Sequence, residues 1–156
     1  MVLANHDDAQ SVACDSSGSV FVTGFSDGTS GAVVRRLDSA GAQQWTMSIP
    51  DSTLVGLGLS SSGSSIFACG WFTSTVSVGG TSLTSAGGTD ALVVKLIAAT
   101  GAVQWAQRVG GAGEDAASAV SVAPDDASLY VCGAPIGYSA VHRGGTGTAG
   151  STSSAS

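Results

Sequence analysis

The chain has 156 residues, only 10% of them charged, and a formal net charge of −6. Lys and Arg total 5, too few for a basic surface that neutralises phosphates, so nucleic acid is not expected as a partner. Gly accounts for 23 residues and Pro for 3, and no segment shows a sustained helical apolar period. These features favour closely packed β-sheets with tight turns and predict an all-β fold.

The first repeat, at about 7–49, is predicted to form four antiparallel strands. Two turns of similar chemistry join them, 15–18 (DSSG) and 38–41 (DSAG). In such turns the Asp side chain accepts a backbone N–H and Gly adopts positive φ, which closes a tight hairpin. The expected strands are 10–14, 19–25, 32–37 and 42–49.

The same order returns in a second repeat, at about 52–110. The segment 41–45 (GAQQW) recurs as 101–105 (GAVQW), and a strand with one cation precedes each copy. Recurrence of this kind indicates stacked copies of one small sheet. The second repeat also contains two alternating runs around Gly79-Gly80, which predict an additional hairpin. This insertion, 73–89, is the segment expected to project and contact a partner.

A third repeat begins at about 115 and follows the pattern as far as Gly133. Residues 134–142 read as irregular, and 144–156 contain only Gly, Ser, Thr and Ala. Such a segment buries too little apolar surface to offset the entropy of ordering it. The predicted organisation is therefore a partial third repeat at about 115–133, within a repeat unit spanning 1–133, and a disordered tail at 134–156.

The recurring positions are expected to have structural roles. Trp45 and Trp105 can each bury about 150–250 Å² between neighbouring sheets. Trp71 could reach a loop, although a cover over a sheet edge is the simpler interpretation. The other expected structural residues are the strand-end glycines Gly24, Gly70 and Gly133, the turn glycines Gly41 and Gly101, and the turn aspartates Asp15 and Asp38.

These residues resemble the β-propeller repeats described as seven-bladed bacterial-type repeats, whose units contain Asp-x-Ala, a turn Asp and Gly, Val-Thr-Gly, Asp-Ala-x-Val-x-Lys-Leu and Gly-x-x-x-Trp. The departures include Ser60 for the turn Asp and Arg36 for the Lys. The matching positions are Asp7, Ala9, Val12, Ala13, Asp15, Gly18, Val20, Val22, Thr23 and Gly24 in the first repeat, and Asp90, Ala91, Val93, Lys95, Leu96, Gly101, Trp105, Gly110 and Gly111 in the second.

The resemblance covers about 7–133 and implies two four-stranded antiparallel blades plus a partial third, which is an incomplete ring. Propellers close with about four to eight blades, and closure hides the outer sheet edges. The chain is therefore expected to be a fragment of a larger propeller. The alternatives are assembly with other copies through exposed blade edges and an open stack.

No catalytic constellation is evident, and no cofactor or metal is expected. Asp15, Asp38 and Asp125 are separate turn carboxylates without the spacing of a calcium loop. His6 and His142 lie in end segments that are expected to be loose, so neither is a good candidate for a general base or a metal ligand. The segment 98–105 resembles the Trp-docking segment of quinoprotein propellers, so a quinoprotein-like enzyme is an unfavoured alternative.

Three cysteines, Cys14, Cys69 and Cys132, show no metal-ligand spacing and are expected to be small buried thiols. Cys69 and Cys132 occupy equivalent positions of neighbouring repeats. Their Cα atoms should therefore lie beyond the roughly 7 Å that a disulfide allows. The redox compartment stays open.

The favoured function is a non-catalytic module that recognises a protein or small ligand or serves as a scaffold. A structural cell-surface repeat is the alternative. The first residues show no signal peptide, and no apolar run approaches the roughly 20 residues of a membrane span. Localisation is undecided, since a longer N-terminus would leave an extracellular or surface location open.

Overall fold

The computed structural model describes residues 8–134, 137–142 and 150–153. Every regular element among these residues is a β-strand, which confirms the all-β prediction. Within the described residues, no helix is long and apolar enough to cross a membrane. The strands are β1 (Asp8–Cys14), β2 (Val20–Ser26), β3 (Gly31–Leu37), β4 (Gln43–Pro50), β5 (Ser52–Leu59), β6 (Ser65–Val78), β7 (Thr81–Ile97), β8 (Val103–Val109), β9 (Ala116–Val122), β10 (Ser128–Ala134), β11 (Gly137–His142) and β12 (Gly150–Ser153).

The strands form three four-stranded antiparallel sheets, and each sheet follows chain order: β1–β4 in sheet 1, β5–β8 in sheet 2 and β9–β12 in sheet 3. Sheet 2 lies between the other two. Its first strand, β5, contacts β1, β2 and β3, and the first strand of sheet 3, β9, contacts β5, β6 and β7. The described part of the chain is thus a stack of meanders, packed face to face.

Sheet 3 has four strands, where the sequence predicted two followed by an unstructured tail. β11 pairs with β10 along Ser128–Gly133, and β12 pairs with β11. Residues 135–136, 143–149 and 154–156 of the predicted tail lie outside the described residues, as does His6. Strand pairing to an existing edge uses backbone N–H and C=O groups, so it does not require the apolar side chains on which the prediction was based.

Two apolar cores fill the stack, one on each face of sheet 2. Alternate residues of β6 point to opposite faces, so Ile66 and Ala68 contact sheet 1 while Phe67 and Cys69 contact sheet 3. The part of β7 at 90–94 is buried on both faces, which explains the continuous apolar run at 91–94. The first core consists of Phe21, Ala32, Val34, Ile49, Leu54, Ile66, Ala68, Phe72, Val76, Val78, Leu92, Val94, Leu96 and Ala98. The second consists of Phe67, Cys69, Ala91, Val93, Val109, Ala117, Leu129 and Val131.

The predicted additional hairpin exists as a continuation of β6 and β7. Its turn residues, Gly79 and Gly80, have φ values of 56° and 84°, as a two-residue turn between twisted strands requires. Ser74, with φ of 60°, lies where the register shifts, and beyond it the hairpin folds back. A Cβ on Gly79 would lie 2.5 Å from the Cβ of Val103, so the tip is packed against the sheet. The expectation of a projecting insertion was wrong, because its apolar side chains are buried in the first core.

Three equivalent glycines allow the same close approach in each sheet. Gly24, Gly70 and Gly133 each face a register shift in the first strand of their own sheet. A Cβ at these positions would lie within 2 Å of a backbone carbonyl oxygen, at 1.8 Å from Asp8, 1.9 Å from Thr53 and 1.8 Å from Ala116 respectively. Glycine is needed here for space, since no other residue leaves room for that carbonyl.

Large apolar side chains are exposed at both ends of the stack. Val12, 63% exposed, lies on the face of sheet 1 opposite to the first core, and Tyr130, 50% exposed, lies on the face of sheet 3 opposite to Leu129 and Val131. Tyr130 occupies the repeat position of Phe21 and Phe67, both of which are buried by a neighbouring sheet. The two outer faces therefore present the same kind of surface that is covered inside the stack.

Gly70→Ala should destabilise the protein by about 1–3 kcal/mol or more, because the new methyl group displaces the carbonyl of Thr53 and separates β5 from β6. Chemical denaturation followed by far-UV circular dichroism measures this loss. Gly111→Ala is the matched control, since nothing lies within 4 Å of a Cβ at that position. Equal stability of the two variants would contradict the close approach.

Candidate functional site

Sheets 1 and 2 are joined by the indole of Trp45. Its Nε1 donates a hydrogen bond to the carbonyl oxygen of Ala98 at 3.1 Å, across the sheet boundary. Its six-membered ring lies over the turn between β7 and β8, where a Cβ on Gly101 would be 2.7 Å from Cε3. Phe21 packs beside it, with ring centroids 6.3 Å apart. The absence of a side chain at Gly101 thus creates the seat for the indole.

Trp105 occupies the corresponding place in sheet 2. Its ring centroid lies 6.1 Å from that of Phe67, and it packs against the second core. With Phe67 and Leu129 it lines a small gap between sheets 2 and 3. The turn that would correspond to 98–101 in sheet 3 falls at 143–149, outside the described residues.

Each of the first two sheets also places a cation over an aromatic ring. The Arg36 guanidinium lies 6.0 Å from the ring centroid of Phe21, and the Lys95 ammonium 5.3 Å from that of Phe67. Arg36 also donates to the carbonyl oxygen of Ala99 at 3.3 Å, and so contributes to the contact between sheets 1 and 2. The aromatic residue and the cation are directly paired across the second and third strands in both sheets, so the same register packs a cation on a ring in two successive sheets.

A cleft of about 220 Å³ opens at the boundary between sheets 1 and 2. Phe25 at the end of β2 and Trp71 in β6 occupy equivalent repeat positions, and both residues border the cleft. The β2–β3 loop and the β4–β5 connection supply the polar lining. The lining residues are Phe25, Ser30, Asp51, Ser52, Thr53, Trp71, Phe72 and Thr73.

The backbone around the cleft is held in two unusual conformations. Ser30 and Asp51 have φ values of 50° and 57°, in a backbone region that residues other than glycine rarely adopt. The N–H of Asp51 donates to the carbonyl of Ser30 at 3.2 Å, and the buried Ser52 hydroxyl donates to the carbonyl of Ile49 at 2.8 Å. Left-handed residues of this kind cluster at binding sites, where the surrounding structure keeps them in place.

Two polar groups of the cleft have no protein partner among the described residues. The exposed Asp51 carboxylate accepts no hydrogen bond and forms no ion pair there, and the half-buried Trp71 indole N–H donates none. The lining includes no Lys, Arg or His. The lining therefore combines one carboxylate and several hydroxyls with aromatic residues of both sheets.

The predicted turn aspartates lie away from the cleft. Asp15 Oδ1 accepts hydrogen bonds from the Ser17 hydroxyl at 2.6 Å and from two backbone N–H groups at 2.9 Å. The Ser17 hydroxyl is the main cause that lowers the pKa of Asp15 below its ordinary value of 3.8. Asp38 Oδ1 accepts from the N–H groups of Ala40 and Ala42 at 3.0 and 2.9 Å, and Gly41 completes that turn with φ of 82°.

Asp126 links sheet 3 to sheet 2. Its carboxylate accepts the backbone N–H of Ser61 at 2.7 Å and the hydroxyl of the same residue at 3.0 Å. The backbone bond is the main cause that lowers the pKa of Asp126 below 3.8. Nothing in the sequence signals this contact, because Ser61 and Asp126 are 65 residues apart along the chain.

The other carboxylate cluster surrounds the corner where β8 leads into sheet 3. Asp90 is completely buried and pairs with Arg108 at 3.3 Å, while Glu114 accepts hydrogen bonds from the N–H and hydroxyl of Thr89. Asp115 accepts from the N–H of Gly111 at 2.8 Å. These carboxylates are satisfied within the protein. Across the described ranges, no group of three or more His, Cys, Asp or Glu residues could hold a metal ion.

The three cysteines differ in exposure. All are free thiols, but Cys14 and Cys132 are exposed and only Cys69 is buried. The prediction of three buried thiols was wrong for two of them, because they belong to the end sheets, whose outer faces no further sheet covers in this structure. Burial raises the pKa of the Cys69 thiol to about 12, so it stays protonated at neutral pH.

Sequence reasoning missed the cleft as a unit. It identified Trp71 but favoured a structural cover, and it assigned no role to Phe25 or Asp51. One signal was available: an aromatic residue follows the strand-end glycine in both repeats, as Gly24-Phe25 and Gly70-Trp71. Comparison of the sequence with models of known protein families and with curated proteins gave no match.

Proposed function

We propose that the chain is part of a β-propeller and serves as a non-catalytic recognition module. Three chain-ordered, four-stranded antiparallel sheets packed face to face are the arrangement expected of adjacent blades. The first strands of successive sheets, β1, β5 and β9, lie next to one another, as strands lining a central channel would. The indole of Trp45, seated across a sheet boundary, supports the same interpretation.

The observation that carries the recognition role is the cleft. Its lining residues come from two sheets, so its shape is fixed by the packed boundary below it, where Phe72 is almost fully buried. The Asp51 carboxylate and the Trp71 indole N–H have no hydrogen-bond partner among the described residues, so both groups can bind a ligand. A rigid scaffold with loops that carry unsatisfied groups is the usual design of a binding site.

A quinoprotein-like activity gains no support from these contacts. The segment 98–101, on which that alternative depended, receives the indole of Trp45 through Ala98 and Gly101. Its role in the described residues is therefore packing between sheets.

Labelled protein applied to arrays of glycans and short peptides should bind a subset of spots through the cleft. Trp71→Ala should reduce that signal at least about tenfold, because the aromatic contacts and the indole N–H are lost together. Gln104→Ala, a change of an exposed side chain on β8, is the control and should bind like the wild type. Asp51→Asn provides a second variant if the Trp71 variant unfolds. Failure of the wild type to bind any spot, or undiminished binding by both cleft variants, would refute the recognition role.

A second candidate role is assembly as a scaffold, favoured by the exposed Val12 and Tyr130 at the two ends of the stack. Inside the stack, the equivalent surfaces are covered by a neighbouring sheet. We propose that a second copy covers them, in a head-to-tail contact between sheet 3 of one copy and sheet 1 of the next. Heterologous contacts of this type build rings or open stacks.

Sedimentation velocity should show wild-type protein shifting to larger species as its concentration rises. Val12→Asp should reduce this association, because it places a carboxylate in an apolar contact. Ser77→Asp, which adds the same charge on the exposed face of the hairpin, should leave it unchanged. A wild-type protein that is monomeric at every concentration would exclude the scaffold role.

A further inference from the structure

We infer that the β3–β4 turn of sheet 1, at Gly41, is a docking seat for a tryptophan, and that its partner is another four-stranded meander with this tryptophan on its last strand. This inference rests on the proposed stacking of a further sheet on sheet 1 and names the chemistry of that sheet. The equivalent turn of sheet 2 holds an indole within the described structure and supplies the template.

The turns of sheets 1 and 2 share one backbone framework. Gly41 and Gly101 each precede the returning strand, with φ values of 82° and 73°. In both turns a backbone N–H at the start, from Asp38 and Ile97 respectively, donates to the carbonyl of the residue after the glycine at 2.9 Å. The β7–β8 turn is one residue longer, but its glycine keeps the last position. Sheet 1 therefore presents the same left-handed glycine that receives the indole in sheet 2.

The two turns differ in what the glycine faces. A Cβ on Gly101 would lie 2.7 Å from Cε3 of Trp45, whereas among the described residues nothing lies within 4 Å of a Cβ on Gly41. The turn at Gly41 keeps its shape, because the Asp38 carboxylate accepts two backbone N–H groups within it. Sheet 1 thus leaves open the space that an indole takes in sheet 2.

The carbonyl groups of the two turns show the same contrast. Two consecutive carbonyl oxygens of the β7–β8 turn accept donors from sheet 1, the indole N–H of Trp45 at 3.1 Å and the guanidinium of Arg36 at 3.3 Å. In the β3–β4 turn, the consecutive carbonyls of Ser39 and Ala40 accept no hydrogen bond from a described residue. A tryptophan with an Arg or Lys on the neighbouring strand would supply both donors.

The face of sheet 1 beside this turn is also of the kind that a sheet covers. Val12 pairs with Val22 in the register of sheet 1, just as Leu57 pairs with Ala68 in sheet 2. Leu57 packs against the first core beneath sheet 1, whereas Val12 is 63% exposed. A meander seated on the Gly41 turn would cover Val12 in the same way.

The register identifies which sheets can bring the indole. Directly paired residues of the second, third and fourth strands form the row that ends at the tryptophan position. These rows are Phe21, Arg36 and Trp45 in sheet 1, Phe67, Lys95 and Trp105 in sheet 2, and Tyr130, Ala140 and Thr152 in sheet 3. A second copy can cover sheet 1 with its sheet 3, but it brings Thr152 to the seat. The partner that fills the seat has Trp at this position.

Adding the indole to sheet 3 tests the seat in the full chain. Thr152→Trp puts a tryptophan at the register position of Trp45, so that one copy can dock on the Gly41 turn of the next. Sedimentation velocity should show association at least about tenfold tighter than that of the wild type. Ser77→Trp, which adds an aromatic residue at an exposed position of the hairpin, should show no such gain.

Gly41→Ala in the Thr152→Trp background should abolish the gain, because its methyl group takes the space of the ring. Gly80→Ala is the matched control and should retain it, since Gly80 has φ of 84° and nothing within 4 Å of a Cβ. A gain that survives Gly41→Ala, or that Ser77→Trp reproduces, would overturn the seat.

If Thr152→Trp unfolds the chain, wild-type protein is titrated with N-acetyltryptophanamide and observed by NMR. The amide resonances of residues 39–41 should shift more than with N-acetylleucinamide, and equal shifts would overturn the seat.

The outcomes separate this inference from the scaffold role. Wild-type self-association with no further gain in a folded Thr152→Trp variant would preserve the scaffold role and overturn the seat. A monomeric wild type whose Thr152→Trp variant associates through Gly41 would exclude the scaffold role and support the seat.

Discussion

The contact on which the described structure most depends is the seating of the Trp45 indole on the turn of the next sheet. A hydrogen bond of 3.1 Å to Ala98 fixes its direction, and the missing side chain at Gly101 provides its space. An isolated four-stranded meander exposes an apolar face, which is costly in water. The indole holds two such faces together and fixes the position of sheet 1 relative to sheet 2. The position of Phe25 relative to Trp71, and with it the shape of the cleft, follows from this arrangement of the two sheets.

The repeat explains why the cleft forms where it does. Each second strand contains a glycine that lets a first-strand carbonyl approach, and an aromatic residue follows Gly24 and Gly70 directly. The close approach of the strands leaves little space below these rings. The connection through Asp51 then joins one sheet to the next beside them. The close approach at the glycine recurs in each sheet, and the cleft described at the boundary of sheets 1 and 2 adds a carboxylate to it.

Much of the described fold could be predicted from the sequence, because strand alternation and Asp/Gly turn chemistry are local signals. The turn at Asp38 and the Gly79-Gly80 hairpin are of this kind. The fold-back of that hairpin and the buried pair of Asp90 with Arg108 depend on contacts between separate strands, and β11 depends on backbone pairing to the edge of β10, none of which the side-chain patterns encode. The cleft belongs to the same class. Its residues come from three separate segments, and only the packed boundary brings them together.

The most direct measurement of the central contact compares Gly101→Ala with Gly41→Ala, alone and combined with Trp45→Leu. Gly101 and Gly41 have similar positive φ values, 73° and 82°, so an alanine should cause similar backbone strain at either position. Only a Cβ on Gly101 would meet the Trp45 indole, whereas nothing lies within 4 Å of a Cβ on Gly41. With Trp45 present, Gly101→Ala should cost at least about 1 kcal/mol more than Gly41→Ala in denaturant unfolding, and the difference should vanish with Trp45→Leu. Equal costs in the presence of Trp45 would show that the indole is not seated on this turn.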